Sequence, residues 1–316
     1  MILLVDFSEF SLFKVYEESL NLKEVYQVDT ELVPILHDVI DGAGLINVVK
    51  KFPINYIYHA AAYKHVPMLE KPENNLAGIR NNILGTYSIC KVAEKLNVQK
   101  VVMISTDKAV RPTNLMGATK RFAEQIVQYF DTLSSENIYT MVRFGNVINS
   151  SGSVVPTFLE QIKHGGPVTI TDFKVTRFFM TIPEASNLVL QAGEMAQGGD
   201  VFILDMGEQI EILELAKRLI NLKGYNYTFL ENDPGVRIVE TGLRSGEKLY
   251  EELLISGTEM STTNAKIFKS IEPSSDEGII ENTHAIEEHI LNNDLDSCIQ
   301  ILVDNVQGFI REKNID

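Results

Sequence analysis

Residues 101–121 read VVMISTDKAVRPTNLMGATKR. The run 101–104 is apolar and rich in β-branched residues, as in a strand covered on both faces, and the strand is expected to span 101–105. Ser105, Thr106, Asp107 and Lys108 follow at its carboxyl end, the edge at which open α/β sheets bind ligands. Eight residues on, Met116 and Lys120 stand four apart, and so on one face, of a helix expected at 114–130. A lysine four residues from a methionine is usually a solvated helix lysine, and STDK alone is a weak signal. Their joint spacing behind a buried strand points to an active site.

Working outward, short apolar runs alternate with amphipathic segments, the pattern of β-α-β units around a parallel sheet. Further strands are expected at 2–5, 33–36, 56–59, 139–143 and 201–204. Helices are expected at 73–96, 183–195 and 210–222, the last stopping at Lys223-Gly224. The fold class is α/β, a doubly wound parallel sheet with a smaller carboxyl-terminal lobe. From about Ser256 the chain turns polar and acidic, with a loop at 273–276. Two short helical patterns, 285–291 and 295–311, are expected to pack on the outside.

With 316 residues and 45% hydrophobic content the chain can bury a sizeable core. No apolar run approaches the roughly 20 residues of a membrane-spanning helix. The start, MILLVD, has no basic stretch, so a cytoplasmic location is expected. Forty-three acidic against 28 basic residues give a net charge of −15, which disfavours nucleic acid as a partner. Cys90 and Cys298 lie far apart without metal-ligand spacing, so neither a disulfide framework nor a metal site is expected.

The first strand carries an informative absence. A dinucleotide-binding fold opens with a strand running into Gly-x-Gly-x-x-Gly, because only glycine lets backbone approach a pyrophosphate. Here Phe7-Ser8-Glu9-Phe10 follows instead. Asp6 either ends an ordinary strand or ends the second strand of such a fold, whose terminal acid bonds the adenosine ribose. On the second reading the Rossmann-like sheet lacks its first strand.

HAAAYKHVPMLE (59–70), NNILGT (81–86), STDKAVRPTNLMGATKR (105–121), VRFGNV (142–147), TRFFMTIPEA (176–185) and TGLRSGEKLYEELL (241–254) together resemble the bacterial UDP-N-acetylglucosamine 4,6-dehydratases, extended short-chain dehydrogenases that make capsule, O-antigen and glycan precursors. The similarity covers about residues 1–255 in order and spacing. It implies NAD, with NADP as the alternative, a UDP-sugar substrate and a homo-oligomer. In such enzymes NAD takes a hydride from carbon 4 of the sugar, water leaves across carbons 5 and 6, and the hydride returns to carbon 6.

The resemblance also implies roles. Thr106 would bond the carbon-4 oxygen, Asp107 would protonate the departing carbon-6 hydroxyl, and Lys108 would take the carbon-5 proton. A desolvated cleft would favour the neutral form of both groups, and Lys120 would further disfavour a charged Lys108. Lys120 would hold the nicotinamide ribose, while Met116 occupies the usual tyrosine position and cannot transfer a proton. The base for the carbon-4 hydroxyl is therefore a water or Lys120. Asp6, Asp38, Val39, Ala60, Ala61, Ala62, Asn82, Ser105 and Phe144 would line the cofactor. Lys64, Asn146, Arg177, Arg244 and Glu247 would meet the sugar nucleotide, the two arginines as forks for its phosphates.

The expected division is a dinucleotide-binding domain at 1–150 plus about 181–205, and a sugar-nucleotide lobe at 150–180 and 206–316. Two other readings stay open: a 4-epimerase, and an inactive sugar-nucleotide-binding fragment. Long family members carry a membrane region upstream, so this chain is also read as the cytoplasmic part of such a protein.

Overall fold

The computed structural model describes residues 1–134, 136–252, 259–270, 272 and 278–310. Five strands appear near their expected places: β1 (Ile2–Asp6), β2 (Leu32–Leu36), β3 (Tyr56–His59), β4 (Lys100–Ile104) and β5 (Ile138–Arg143). β3, β4, β5 and the strand Val201–Leu204 run parallel in that order. The strand Ile267–Ser270 adds antiparallel to Val201–Leu204, and Glu259–Ser261 closes that edge. Val101, Val102, Met103 and all of 201–204 are buried, as expected of continuous apolar runs in a sheet covered on both faces.

The sheet is split. β1 and β2 form a separate parallel pair, Ile2 opposite Leu32 and Asp6 opposite Leu36, which no ladder joins to β3. The break falls where a dinucleotide-binding fold has its first strand, as the missing glycine turn led us to expect. Leu3, Val5 and Val33 still pack against the main core. Thus β1 and β3 each keep one edge without ladder bonds among the described residues.

The expected helix 73–96 is one rod with an interruption: Pro72–Ile79, a π-helical turn at Arg80–Leu84, then Gly85–Lys95. The helix Leu115–Leu133 is capped by Asn114, whose Oδ1 accepts from the Gly117 amide at 2.8 Å. Ile182–Met195 and Ile212–Leu222 match expectation, except that Ile210 and Glu211 form a short strand ahead of the second. No helix among the described residues is long and apolar enough to cross a membrane.

The tail corrects two expectations. Its helices, Gly278–Leu291 and Leu295–Asn305, bury Ile279, Ile286, Cys298 and Leu302 in the main core instead of lying outside it. Those positions repeat at helical spacing, which the surrounding acidic residues obscure. The lobe boundary therefore moves: 259–270 and 278–310 pack with the main sheet, not with the sugar-nucleotide lobe. The expected loop 273–276 and Arg311 lie outside the described residues.

The second lobe consists of what remains. Val168–Ile170, Val236–Glu240 and Tyr227–Thr228 form a small parallel sheet under the helices Val154–Lys163 and Ile212–Leu222. Phe158, Ile162, Ile170, Ile220 and Ile238 are buried in a core of their own there. Two short pairs, Asn146–Val147 with Phe179–Met180 and Ile210–Glu211 with Thr176–Arg177, link the lobe to the carboxyl end of the main sheet.

Candidate active site

β4 ends at Ile104 and the chain makes a turn at Asp107–Ala109 that Thr106 caps, its Oγ1 accepting from the Lys108 amide at 3.3 Å. The Asp107 amide donates to the Phe144 carbonyl at 3.1 Å, so the turn is pinned to the end of β5. The helix Leu115–Leu133 starts directly against it. A Cβ on Gly117 would lie 2.2 Å from the Lys108 carbonyl oxygen and 3.0 Å from Pro112 Cβ, so only glycine permits this approach. Gly246 does the same from the lobe side at φ +73°, where Thr113 and Asn114 side chains donate to its carbonyl at 2.9 and 3.0 Å.

Asp107 is fully buried. Its Oδ1 accepts from the Thr106 hydroxyl at 2.8 Å and from the Lys108 ammonium at 2.9 Å. Its Oδ2 is buried with no hydrogen-bond partner among the described residues, the costly state that an incoming donor would relieve. The Lys108 ammonium also reaches Asn146 Oδ1 at 3.3 Å and Glu251 Oε1 at 3.4 Å. Glu251 Oε1 lies 3.7 Å from Nε of the buried Arg177, whose other nitrogens donate to Thr176 O, Leu249 O and Glu247 Oε1. Glu247 further accepts from the Thr171 hydroxyl at 2.9 Å and the Arg244 amide at 3.3 Å. The Arg244 side chain is exposed.

The result is a line of alternating charge: Asp107, Lys108, Glu251, Arg177, Glu247. Four of these five were expected, and Thr106 and Asn146 stand alongside. Glu251 was not anticipated, although it stands inside the TGLRSGEKLYEELL motif.

The expected direction for Lys108 is corrected. Burial alone would lower its pKa, but the carboxylates of Asp107 and Glu251 outweigh burial and raise it. The cation that opposes them is Arg177, not Lys120. Lys120 is the depressed lysine instead: burial lowers it to about 8, with Glu124 partly opposing. Its ammonium donates to the Ile104 carbonyl at 2.8 Å, and Met116 is buried one turn before it.

Ser105 also departs from expectation. Successive residues of an extended chain point to opposite faces, so Thr106 meets the cleft while Ser105 turns inward. Its hydroxyl donates to Glu124 Oε1 at 2.6 Å, inside a network that continues through Arg143, Arg121 and Glu272. Its hydroxyl is thereby committed to the core.

On the dinucleotide side, Asp6 ends β1 with Oδ1 accepting from the Ser8 amide at 2.7 Å, and Asp38 Oδ1 accepts from the Ile40 amide at 3.0 Å. Val39 is buried in the main core, Ala60 is exposed, and Ala61, Ala62 and Phe144 are half-buried. Asn82 braces the loop after β3: it bonds both the amide and carbonyl of Tyr63, at 2.8 and 3.1 Å, and the Thr119 hydroxyl at 3.0 Å. Lys64 is exposed and reaches Ser150 Oγ at 3.4 Å.

Toward a dinucleotide this surface offers an acceptor in Asp6 at the end of β1 and a buried donor in Lys120 behind β4. Between them, the helix start at Ser8 is closed on itself, with the Ser11 amide on Ser8 Oγ and Glu9 in the first turn. With two of the amides there taken and a carboxylate in the first turn, an anionic pyrophosphate finds a poorer seat than a glycine-rich turn would offer.

A family model described as "Polysaccharide biosynthesis protein" matches residues 1–273. The chain belongs to the polysaccharide biosynthesis protein family. Among its relatives, the capsular polysaccharide biosynthesis protein CapD of Staphylococcus aureus is 49% identical over 253 residues, covering 80% of this chain and 40% of CapD. A UDP-glucose 4-epimerase of Rickettsia canadensis is 38% identical over 205 residues, 64% of this chain and 57% of the epimerase. This family member thus spans less than two thirds of either relative. Pen from Bacillus thuringiensis superposes with a TM-score of 0.74 at 33% identity, covering 87% of this chain and 82% of Pen. The dTDP-glucose 4,6-dehydratase DesIV of Streptomyces venezuelae, solved with NAD and TYD bound, shares the fold at TM-score 0.64 and 15% identity, covering 92% of this chain and 97% of DesIV.

Proposed function

We propose that this chain carries the catalytic and sugar-nucleotide half of an NAD-dependent 4,6-dehydratase acting on UDP-N-acetylglucosamine. The carrying observation is Asp107, buried beside Thr106 and Lys108 with one carboxylate oxygen unpartnered. When bound, NAD supplies a hydride acceptor that later returns the hydride. Thr106 orients the carbon-4 oxygen, Asp107 delivers a proton to the leaving carbon-6 hydroxyl, and Lys108 removes the proton from carbon 5. These roles need a neutral acid and a neutral amine, whereas the raised Lys108 pKa describes an ammonium on a carboxylate. Moving one proton across the 2.9 Å contact from Lys108 to Asp107 converts the pair into the required one, and desolvation by a bound sugar favours that transfer.

Arg177, held by Glu247 and two carbonyls, and the exposed Arg244 are assigned to the diphosphate, for which Arg177 would have to exchange its present partners. Asn146 lies beside Lys108, within reach of the sugar. Asp6, Asp38, the alanines 60–62, Phe144 and Lys120 are assigned to NAD on position alone, and Lys64 to the sugar nucleotide. Homo-oligomeric assembly, implied by the resemblance, belongs to the same proposal.

The epimerase relative supports a second reading, in which the same fold returns the hydride to carbon 4. Substrate deuterated at carbon 4, incubated with saturating NAD, separates the two. A dehydratase places the label at carbon 6 of a 4-keto-6-deoxy sugar; label recovered at carbon 4 of an epimer would refute it. Asp107→Asn should lower turnover about 10²- to 10⁴-fold, the usual loss of a positioned acid, with UDP-sugar binding retained in calorimetric titration.

A further inference from the structure

Glu251 is 5% exposed and carries no role so far. One of its oxygens, Oε1, faces two cations, Lys108 Nζ at 3.4 Å and Arg177 Nε at 3.7 Å. The other, Oε2, is buried without a hydrogen-bond partner among the described residues. A carboxylate in that setting is expensive to bury unless charge neutralises it, and the neighbouring cations do so. The same arrangement acts back on Lys108. Around its ammonium stand Asp107 from its own turn, Glu251 from the segment after Val236–Glu240, Arg177 from the strand 176–177 and, as a neutral acceptor, Asn146 from the strand 146–147.

We infer that Glu251 is a positioning residue for Lys108: from the opposite lobe it holds the ammonium against Asp107 and keeps the proton on it. This rests on the dehydratase reading only for its consequence, since the contact itself is independent of any substrate. Asp107 alone would anchor Lys108 from one side, through a residue adjacent in sequence. Glu251 supplies the second anchor and joins the two lobes across the reacting groups.

The test is a titration of Lys108 followed by NMR of lysine labelled with ¹³C at Cε, its resonance assigned through Lys108→Arg. In the unaltered chain the Lys108 midpoint should lie above that of a free lysine. Glu251→Gln should lower it by about one pH unit or more, the usual influence of an opposite charge at this distance. Glu251→Asp, which keeps the charge at shorter reach, should recover part of the shift and also guards against a folding defect in the glutamine variant. Glu252→Gln serves as the control, because Glu252 is exposed and pairs with Arg111 instead, at 3.2 Å; it should leave the midpoint in place. An unchanged Lys108 midpoint in a folded Glu251→Gln protein would overturn the inference. Neither NAD nor a sugar nucleotide is needed, so this outcome is separable from failure of the dehydratase assignment. If that assignment holds, the Glu251→Gln turnover profile should move to lower pH in step with the NMR midpoint, with KM little changed.

Discussion

Arg143 sits in the middle of the sheet, and neither its side chain nor that of Glu124 reaches solvent. Its guanidinium donates to both oxygens of Glu124 at 2.7 and 2.6 Å and also reaches Glu272, which shares Arg121 with Glu124. Two cations and two carboxylates balance. Burial alone would raise the Glu124 carboxyl, but Arg143 and Arg121 outweigh it and hold it at about 2. Removing one partner leaves the others charged and buried. Arg143→Met should therefore cost about 3–5 kcal/mol, read as a lowered urea midpoint at unchanged slope. A loss near zero would show that the network contributes nothing net. None of this was legible in the sequence, because its members come from separate elements and no local pattern marks their pairing. Thr106, Asp107, Lys108, Asn146, Arg177 and Glu247 were legible as a group through their motifs. Glu251 was not, because its importance rests on which residue faces it across the cleft.

At the level of elements, the contact between the helix Leu115–Leu133 and the Asp107–Ala109 turn sets the position of Lys108. Gly117→Ala opposes two effects: a gain of about 1 kcal/mol in helix propensity, and a Cβ placed 2.2 Å from a backbone oxygen that cannot swing away. The clash should win, giving a net loss of about 1–3 kcal/mol and a displaced Lys108 resonance, which thermal denaturation and the lysine NMR signal report. A stabilised variant would mean that the helix can slide off the turn. Strands and long helices were readable because apolar period fixes them. The π-helical turn at Arg80–Leu84 was not, since the pattern of 73–96 reads as unbroken helix and only Asn82, bonded to Tyr63 and Thr119, shows what the turn is for. The tail helices were found but misplaced, their few buried residues diluted by acidic ones.

For the whole molecule, acid should be the weak side. His59 is buried with a ring nitrogen 2.9 Å from Thr86 Oγ1; burial, with Lys120 adding, lowers its pKa to about 3. The unfolded chain takes that proton near pH 6.5 and the folded one does not, so stability falls as pH drops from about 6.5 toward 3. Glu124 adds a second loss between about pH 4.5 and 2, because its folded pKa lies below the unfolded value. Urea midpoints should therefore decline steadily below pH 6.5. His59→Gln should flatten the upper part of that decline and leave the lower part, whereas an unaltered profile would mean that His59 titrates freely. The absent glycine turn was announced by the sequence along with the parallel sheet, and the split between β1 and β3 is its counterpart in the fold.

That split also divides the molecule's cooperativity. Inter-strand hydrogen bonds normally couple neighbouring strands into one opening unit, and here no ladder crosses from β1 to β3. β1, β2 and the helix Glu9–Tyr26, of which only Leu12 is buried, are held to the rest chiefly by side-chain packing. Amide hydrogens of β1 and β2 should then exchange with deuterium at a lower opening free energy than those of β4 and β5, and mass spectrometry of peptic fragments would resolve the two classes. Equal protection would imply coupling through the packing alone. With unequal protection, the chain has two melting thresholds, and between them the layer of β1 and β2 is open while the Asp107–Lys108–Glu251 cluster is still assembled.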